Sequence, residues 1–140
     1  MSNAEVFYKN YWGKLVSILE NFENEEDFKL SNPTKTNWYQ IRLGHSDVWI
    51  ELVSSIKYGE IQAQLRMRYD DNLFEKLFNQ KEEIESETDL DLEWIQTGET
   101  SYIRVLKENV DFSNQEDLKE ALLWHALMSV KLYNLFKDKL

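Results

Sequence analysis

Hydrophobic and polar positions alternate most regularly between Ile61 and Tyr69. Apolar residues occupy the odd positions of this segment, and glutamine or arginine occupies the even positions from 62 to 68. Successive side chains of a β-strand point to opposite faces of its sheet, so a period of two predicts a half-buried strand. One face of the strand then belongs to the core, and the other is polar. The polar face carries Gln62, Gln64, Arg66 and Arg68.

Alternation of the same kind predicts four further strands, at residues 38–43, 48–54, 90–94 and about 102–109. Short turns join 38–43 to 48–54 and 48–54 to 61–69, and short turns favour antiparallel neighbours. The first three strands are therefore predicted to form an antiparallel meander.

Apolar residues spaced three and four apart predict three helices, which cover residues 5–22, about 72–84 and 113 to nearly 140. Asn72 with Glu75, and Ser113 with Glu116, have the spacing of a capping box at the start of the second and third helix. The predicted order is α-β-β-β-α-β-β-α.

A chain of 140 residues is predicted to form a single domain, residues 1–140. The economical arrangement of these elements is a two-layer α+β fold. We expect about five strands in a mostly antiparallel sheet, with the helices packed on one face.

The charge of the chain is strongly acidic and unevenly distributed. The formal net charge is −10, and twelve acidic residues fall in two runs, within residues 20–27 and 82–93. A negative long-range field repels phosphate and disfavours tight nonspecific binding of nucleic acid. A negative long-range field is still compatible with a local anion-binding site. Both acidic runs are predicted to lie on the solvated surface.

Several classes of protein are disfavoured by composition. The chain has no cysteine, which excludes disulfides, thiolate zinc sites and thiol nucleophiles. Its apolar runs are all shorter than the roughly 20 residues that span a bilayer. Its N-terminus lacks the pattern of a signal peptide. We expect a cytoplasmic protein with no membrane partner.

The four arginines share one feature, because each falls in a predicted strand and in the phase opposite the core. Glutamine and aromatic residues occupy the same phase. The candidate binding face comprises Arg42, Arg66, Arg68, Arg104, Gln40, Gln62, Gln64, Trp38, Trp49 and Tyr102.

Three interpretations of this face remain open. The arginines pair across strands with Glu51, Asp91 and Glu93 and only stabilise the sheet. Alternatively they bind a protein partner, or a second copy of the chain, since tryptophan, tyrosine and arginine dominate interface hot spots. In the third interpretation, aromatic rings stack on the bases of a single-stranded nucleic acid while guanidinium groups pair with phosphate.

Self-association has a sequence feature of its own. If Trp38 and Trp49 both lie on the outside of the sheet, they form one apolar patch with Val53 and Leu106. Such a patch is larger than most monomers expose.

An enzyme is the alternative to a binding domain. Asp47, Glu51 and Glu60 lie on or beside neighbouring predicted strands and loosely resemble the carboxylates of a metal-dependent nuclease, with Mg²⁺ as the cofactor. His45, Ser46 and Asp47 have the residue types of a catalytic triad, but consecutive residues in a turn rarely adopt its geometry. His125 lies on the apolar stripe of the last helix and is predicted to be a core histidine.

A set of aromatic motifs resembles a known prokaryotic family. The motifs are Phe7-Tyr8 with Tyr11-Trp12, Trp38, the Arg-Tyr-Asp-Asp of residues 68–71 leading into Leu73–Leu77, Leu92-Glu93-Trp94, Tyr102-Ile103-Arg104 and Trp124. Together they span nearly the whole chain, which is identified as similar to domain-of-unknown-function family 4268. The resemblance implies a domain that occurs alone or behind restriction-endonuclease-like nuclease domains in DNA-defence proteins. It supplies no agreed catalytic residues.

The sequence therefore favours a non-catalytic interaction domain without a cofactor. A protein partner or self-association is the leading expectation for the arginine-bearing face, and nucleic acid is the second. A role beside DNA-defence enzymes is implied by the resemblance alone.

Overall fold

The computed structural model describes residues 1–22, 27–69 and 71–140, and of Asp71 the backbone alone. Residues 23–26, which hold much of the first acidic run, and Asp70 lie outside the described residues. The helices are α1 (Asn3–Leu19), α2 (Asp71–Phe78), α3 (Lys81–Ser86) and α4 (Gln115–Phe136), and a 3₁₀ turn covers Glu20–Phe22. The strands are β1 (Lys29–Leu30), β2 (Trp38–Arg42), β3 (Val48–Ser55), β4 (Glu60–Arg68), β5 (Glu93–Gln96) and β6 (Thr100–Lys107).

Over the described residues the fold is α+β, with one open antiparallel sheet of six strands and four α-helices. The strand order is β1-β2-β3-β4-β6-β5, and every neighbouring pair is antiparallel. The predicted meander is β2-β3-β4. At the β3–β4 turn, Gly59 has a positive φ of 62°, and a Cβ there would lie 3.0 Å from the carbonyl oxygen of Val110. This turn therefore requires glycine.

The core lies between the helices and one face of the sheet. The apolar phase of β4, from Ile61 to Met67, is fully buried, as the alternating pattern predicts. Trp12 of α1 stacks on Tyr39 of β2 with ring centroids 5.6 Å apart. We call the opposite side of the sheet the outer face. It carries the side chains that alternate along each strand with those buried under the helices.

Three parts of the fold differ from the prediction. The sixth strand, β1, was not predicted because two residues are too few to display a period of two. The predicted helix at 72–84 is two helices, which separate at Asn79 and Gln80. Leu90 and Leu92, predicted to lie in a strand, precede β5.

Both predicted capping boxes are wrong, although the helices they belong to exist. Asn72 lies inside α2, which begins one residue earlier. The N-cap of α4 is Asn114, whose Oδ1 accepts hydrogen bonds from the backbone N–H groups of Glu116 and Asp117. A capping box does occur at α1, between Ser2 and Glu5.

In the described part of the chain, no helix combines the length and the apolar character that crossing a membrane requires.

Candidate binding face of the sheet

The outer face is organised in rows of side chains that run across the strands. Residues directly opposite one another in paired strands point to the same side of a sheet. One row consists of Lys29, Arg42, Trp49, Arg66, Tyr102 and Ile95. The next consists of Gln40, Glu51, Gln64, Arg104 and Glu93. A third consists of Trp38, Val53, Gln62 and Leu106. The structure thus places the predicted candidate residues on one side of the sheet, with Arg68 one row beyond.

A buried carboxylate lies at the centre of this face. Glu51 is only 6% exposed. Its side chain accepts hydrogen bonds from Arg66 Nη1 at 2.5 Å, Gln64 Nε2 at 3.2 Å and Trp49 Nε1 at 3.4 Å. A buried charge needs a counter-charge and further donors to offset its lost hydration, and Glu51 has both.

Two arginines pack their planar groups on aromatic rings above this carboxylate. The Cζ of Arg66 lies 5.4 Å from the ring centroid of Trp49 and 5.7 Å from that of Tyr102. The Cζ of Arg68 lies 5.3 Å from the centroids of both Trp49 and Tyr69. These distances are within the range of cation–π attraction. Arg66 and Arg68 thus alternate with the rings of Tyr102, Trp49 and Tyr69 in one packed array.

The aromatic array changes the predicted apolar patch. Trp49 is 7% exposed, because the two arginines lie against its ring. Trp38, by contrast, is 42% exposed. Trp49 therefore adds little to the predicted patch, which reduces to Trp38 with the half-buried Val53 and Leu106.

Ion pairs occupy three of the four arginines. Arg66 pairs with Glu51, and Arg104 pairs with Glu93 at 3.3 Å, as the cross-strand interpretation predicts. Arg68 pairs with Asp47 at 3.6 Å. Asp91, the third predicted partner, forms no ion pair in the described part of the chain.

The remaining candidates are less constrained. Arg42 is exposed and forms no ion pair with any described residue. Gln40 and Gln62 are half-buried, and Gln62 Nε2 donates to Glu60 at 3.5 Å. Lys29, directly opposite Arg42, was missed because its strand is too short to be recognised from the sequence.

The carboxylates of the alternative nuclease site do not come together. Asp47 precedes Val48, which lies opposite Met67, whereas Glu60 lies opposite Ser55 at the far end of the same hairpin. Val48 and Ser55 are seven residues apart on one strand, which separates these ends by about 23 Å. Glu51 lies between them and accepts hydrogen bonds from Arg66 and Gln64. Residues 1–22, 27–69 and 71–140 contain no group of three His, Cys, Asp or Glu side chains placed to share a metal ion.

A second buried polar group lies on the helix-covered side of the sheet. His125 of α4 is fully buried, and its Nε2 lies 3.2 Å from Val53 O and 3.1 Å from Gln62 O. Carbonyl oxygens only accept, so Nε2 carries the proton, and Nδ1 accepts from the Tyr11 hydroxyl at 2.7 Å. Burial lowers the pKa of His125 to about 4, and the two carbonyl hydrogen bonds oppose that shift only partly. Burial also raises the pKa of Tyr11. His125 is thus a neutral histidine that joins α1, α4, β3 and β4, as the core prediction expected.

The fold and the outer face define an open-faced α+β domain in which helices cover one side of the sheet. A family model for a domain of unknown function (DUF4268) matches residues 7–140. The chain belongs to this family, which confirms the resemblance found in its aromatic motifs. A search of curated proteins and a search of solved structures each found no match.

Proposed function

We propose that this chain is a non-catalytic binding domain that holds a partner protein against the outer face of its sheet. The observation that carries the proposal is the array of Arg66 and Arg68 on Trp49, anchored from below by the buried Glu51. Side chains that are already ordered lose less conformational entropy when a partner docks. An ordered face therefore binds a partner more tightly than a disordered face with the same contacts.

The composition of the face supports a protein partner. It combines arginine, tryptophan and tyrosine, residue types that are enriched at interfaces, and it lies on regular strands rather than on loops. Trp38, with 42% of its surface exposed, offers an apolar anchor at one end of the face.

Nucleic acid is the weaker candidate for three physical reasons. Stacking on bases needs accessible ring faces, and the central ring, Trp49, is 7% exposed. Ion pairs with Glu51 and Asp47 also neutralise Arg66 and Arg68. The net charge of −10 adds long-range repulsion of a polyphosphate.

An enzymatic role has less support. Asp47 and Glu60 lie at opposite ends of one hairpin, so the three carboxylates do not form the compact cluster that a shared Mg²⁺ needs. A place beside DNA-defence enzymes and a cytoplasmic location remain predictions, the first from the family resemblance alone and the second from the composition.

A capture experiment with matched variants tests the proposal. The outer-face variant is Trp38→Ser with Arg68→Glu, since both side chains are exposed and their replacement spares the buried Glu51–Arg66 pair. The control variant is Leu123→Ser with Lys119→Glu, which makes the same kinds of change on exposed residues of α4. Partners captured from the source cells are identified by mass spectrometry and purified, and their affinity is measured by calorimetry.

We expect the outer-face variant to weaken binding of the purified partner at least tenfold and the control variant to leave it unchanged. A second copy of the chain counts as the partner if sedimentation at micromolar concentration shows dimers that the outer-face variant dissociates. If both variants lose the same affinity for the partner, or if neither loses any, the outer face is not the binding surface and the proposal is refuted.

A further inference from the structure

Two cations lie opposite one another at one corner of the outer face. Lys29 of β1 and Arg42 of β2 are directly opposite in register, and both are exposed. Side chains at such positions have Cβ atoms about 4.5–5.5 Å apart, and like charges there destabilise a sheet. Neither cation forms an ion pair with a residue in the described ranges. Stability of the sheet does not account for this pair.

Two acids of the outer face near this corner are already engaged. Arg42 lies opposite Trp49, whose ring is contacted by Arg66 and Arg68. Of the acids on this part of the face, Glu51 holds Arg66 and Asp47 holds Arg68. Lys29 and Arg42 therefore have no counter-ion among the described residues of this face, on a chain whose net charge is −10.

An exposed aromatic side chain lies on the same strand and the same face. Trp38 precedes Arg42 by four residues on β2, a distance of about 13 Å, with Gln40 between them. An extended peptide has the same rise per residue. A carboxylate at Arg42 and an apolar side chain at Trp38 thus fit one extended segment if they are four residues apart.

We infer that Lys29 and Arg42 form a carboxylate-binding corner, and that the partner protein presents an extended segment with an acidic residue there and an apolar residue at Trp38. This inference rests on the proposed function and specifies the chemistry of its partner. The guanidinium of Arg42 matches a carboxylate with two parallel hydrogen bonds, and Lys29 supplies a second cation beside it. Glutamine at position 40 can hydrogen-bond to the peptide between the two anchors.

The test is a titration of ¹⁵N-labelled protein with the peptide Glu-Glu-Ser-Ser-Ser-Phe, blocked at both ends. A peptide with glutamine in place of both glutamates, and a six-nucleotide oligothymidylate, serve as probes without carboxylates. The corner is removed with Lys29→Glu and Arg42→Glu. A control variant with Lys14→Glu and Lys119→Glu changes the net charge equally at exposed positions on α1 and α4. Amide spectra of the variants without peptide verify that each is folded. If the spectrum of the Lys29→Glu, Arg42→Glu variant shows an altered fold, the Lys29→Gln, Arg42→Gln variant replaces it.

We expect the acidic peptide to shift the amide signals of residues 29 and 42 and the indole signal of Trp38. The corner variant should raise the dissociation constant at least tenfold, and the control variant should change it less than twofold. Equal binding of the glutamine peptide, or an equal loss in the control variant, overturns the inference.

Failure of this inference is distinguishable from failure of the proposed function. If the acidic peptide does not bind but a captured partner still loses affinity for the Trp38→Ser, Arg68→Glu variant, the partner is a protein of other chemistry and only the corner is refuted. If oligothymidylate shifts residues 29 and 42 and the acidic peptide does not, the carboxylate assignment is refuted. The proposal of a protein partner is then refuted as well, unless a captured protein still depends on the outer face.

Discussion

The two faces of the sheet bury polar side chains in different ways. On the helix-covered face, His125 is fully buried and neutral, and its ring nitrogens are satisfied by Tyr11 and by two backbone carbonyls. On the outer face, Glu51 is almost as deeply buried but is covered by neighbouring side chains, and it forms an ion pair with Arg66. The described partners of His125 are all uncharged, whereas Glu51 has a counter-ion on the next strand. Burial on the outer face therefore orders charged groups that still reach the surface.

The largest expected effect tests whether stability depends mainly on the helix-covered face. Leu65 of β4 is fully buried against the helices, and Leu65→Ala should lower the free energy of unfolding by about 2–5 kcal/mol through lost burial and a residual cavity. Gln62→Ala, on the other face of the same strand, should change it by less than about 1 kcal/mol. Urea unfolding monitored by tryptophan fluorescence measures both. Similar losses for the two variants would show that the faces do not differ in this way.

The second effect tests the ion pair of the outer face. Glu51→Gln removes the counter-charge of Arg66, and we expect a loss of about 1–3 kcal/mol in the free energy of unfolding. This is less than for a fully buried pair, because the Arg66 side chain is 29% exposed. Arg66→Gln and the double variant complete a mutant cycle. The double variant should lose less stability than the sum of the single variants, and additivity would mean that the two groups do not interact.

The contrast between the faces was partly predictable from the sequence. A period of two marks both faces of β4, so the side on which Arg66 and Arg68 lie follows from local pattern. The ion-pair partners of these arginines and the burial of their neighbours do not follow from the local pattern, because they depend on strand register and on side-chain packing. Trp49 shows this clearly. Its phase places it outside, but long arginine side chains lie against its ring and bury it.

The elements that the sequence did not predict have specific causes. β1 pairs through two residues, fewer than any periodic signal needs, so Lys29 was not placed beside Arg42. The N-cap of α4 is Asn114 rather than Ser113, since either residue type can cap a helix and the choice is made by backbone geometry. His125 was recognised as a core residue, but its partners come from α1, β3 and β4 and are invisible in its own helix.

The third effect is a dependence of stability on pH that arises on the helix-covered face. His125 has a pKa of about 4 in the folded chain and an ordinary value of 6.5 when unfolded. Below pH 6.5 the unfolded chain binds a proton that the folded chain does not bind. The free energy of unfolding therefore falls as the pH drops from 6.5 towards 4, by roughly 1 kcal/mol between neutral pH and pH 5.5.

Urea unfolding at pH 7.5 and pH 5.5 measures this dependence. His125→Gln should be less stable at both pH values but should lose most of the difference between them. His45→Gln, at an exposed histidine, is the matched control and should retain the dependence of the unmodified chain. A dependence that persists in His125→Gln would place its origin elsewhere.

The smallest effect has the opposite sign and belongs to the outer face. Lys29→Gln removes one of two like charges that lie directly opposite each other, so we expect the free energy of unfolding to rise by about 0.2–1 kcal/mol. Lys119→Gln, at an exposed lysine of α4, is the control for the change in net charge and should have a smaller effect. The stabilisation should disappear at 1 M salt, where charges are screened beyond about 3 Å. A loss of stability in Lys29→Gln would instead mean that this lysine supports the sheet, and the outer face would then resemble the helix-covered face in being built for stability alone.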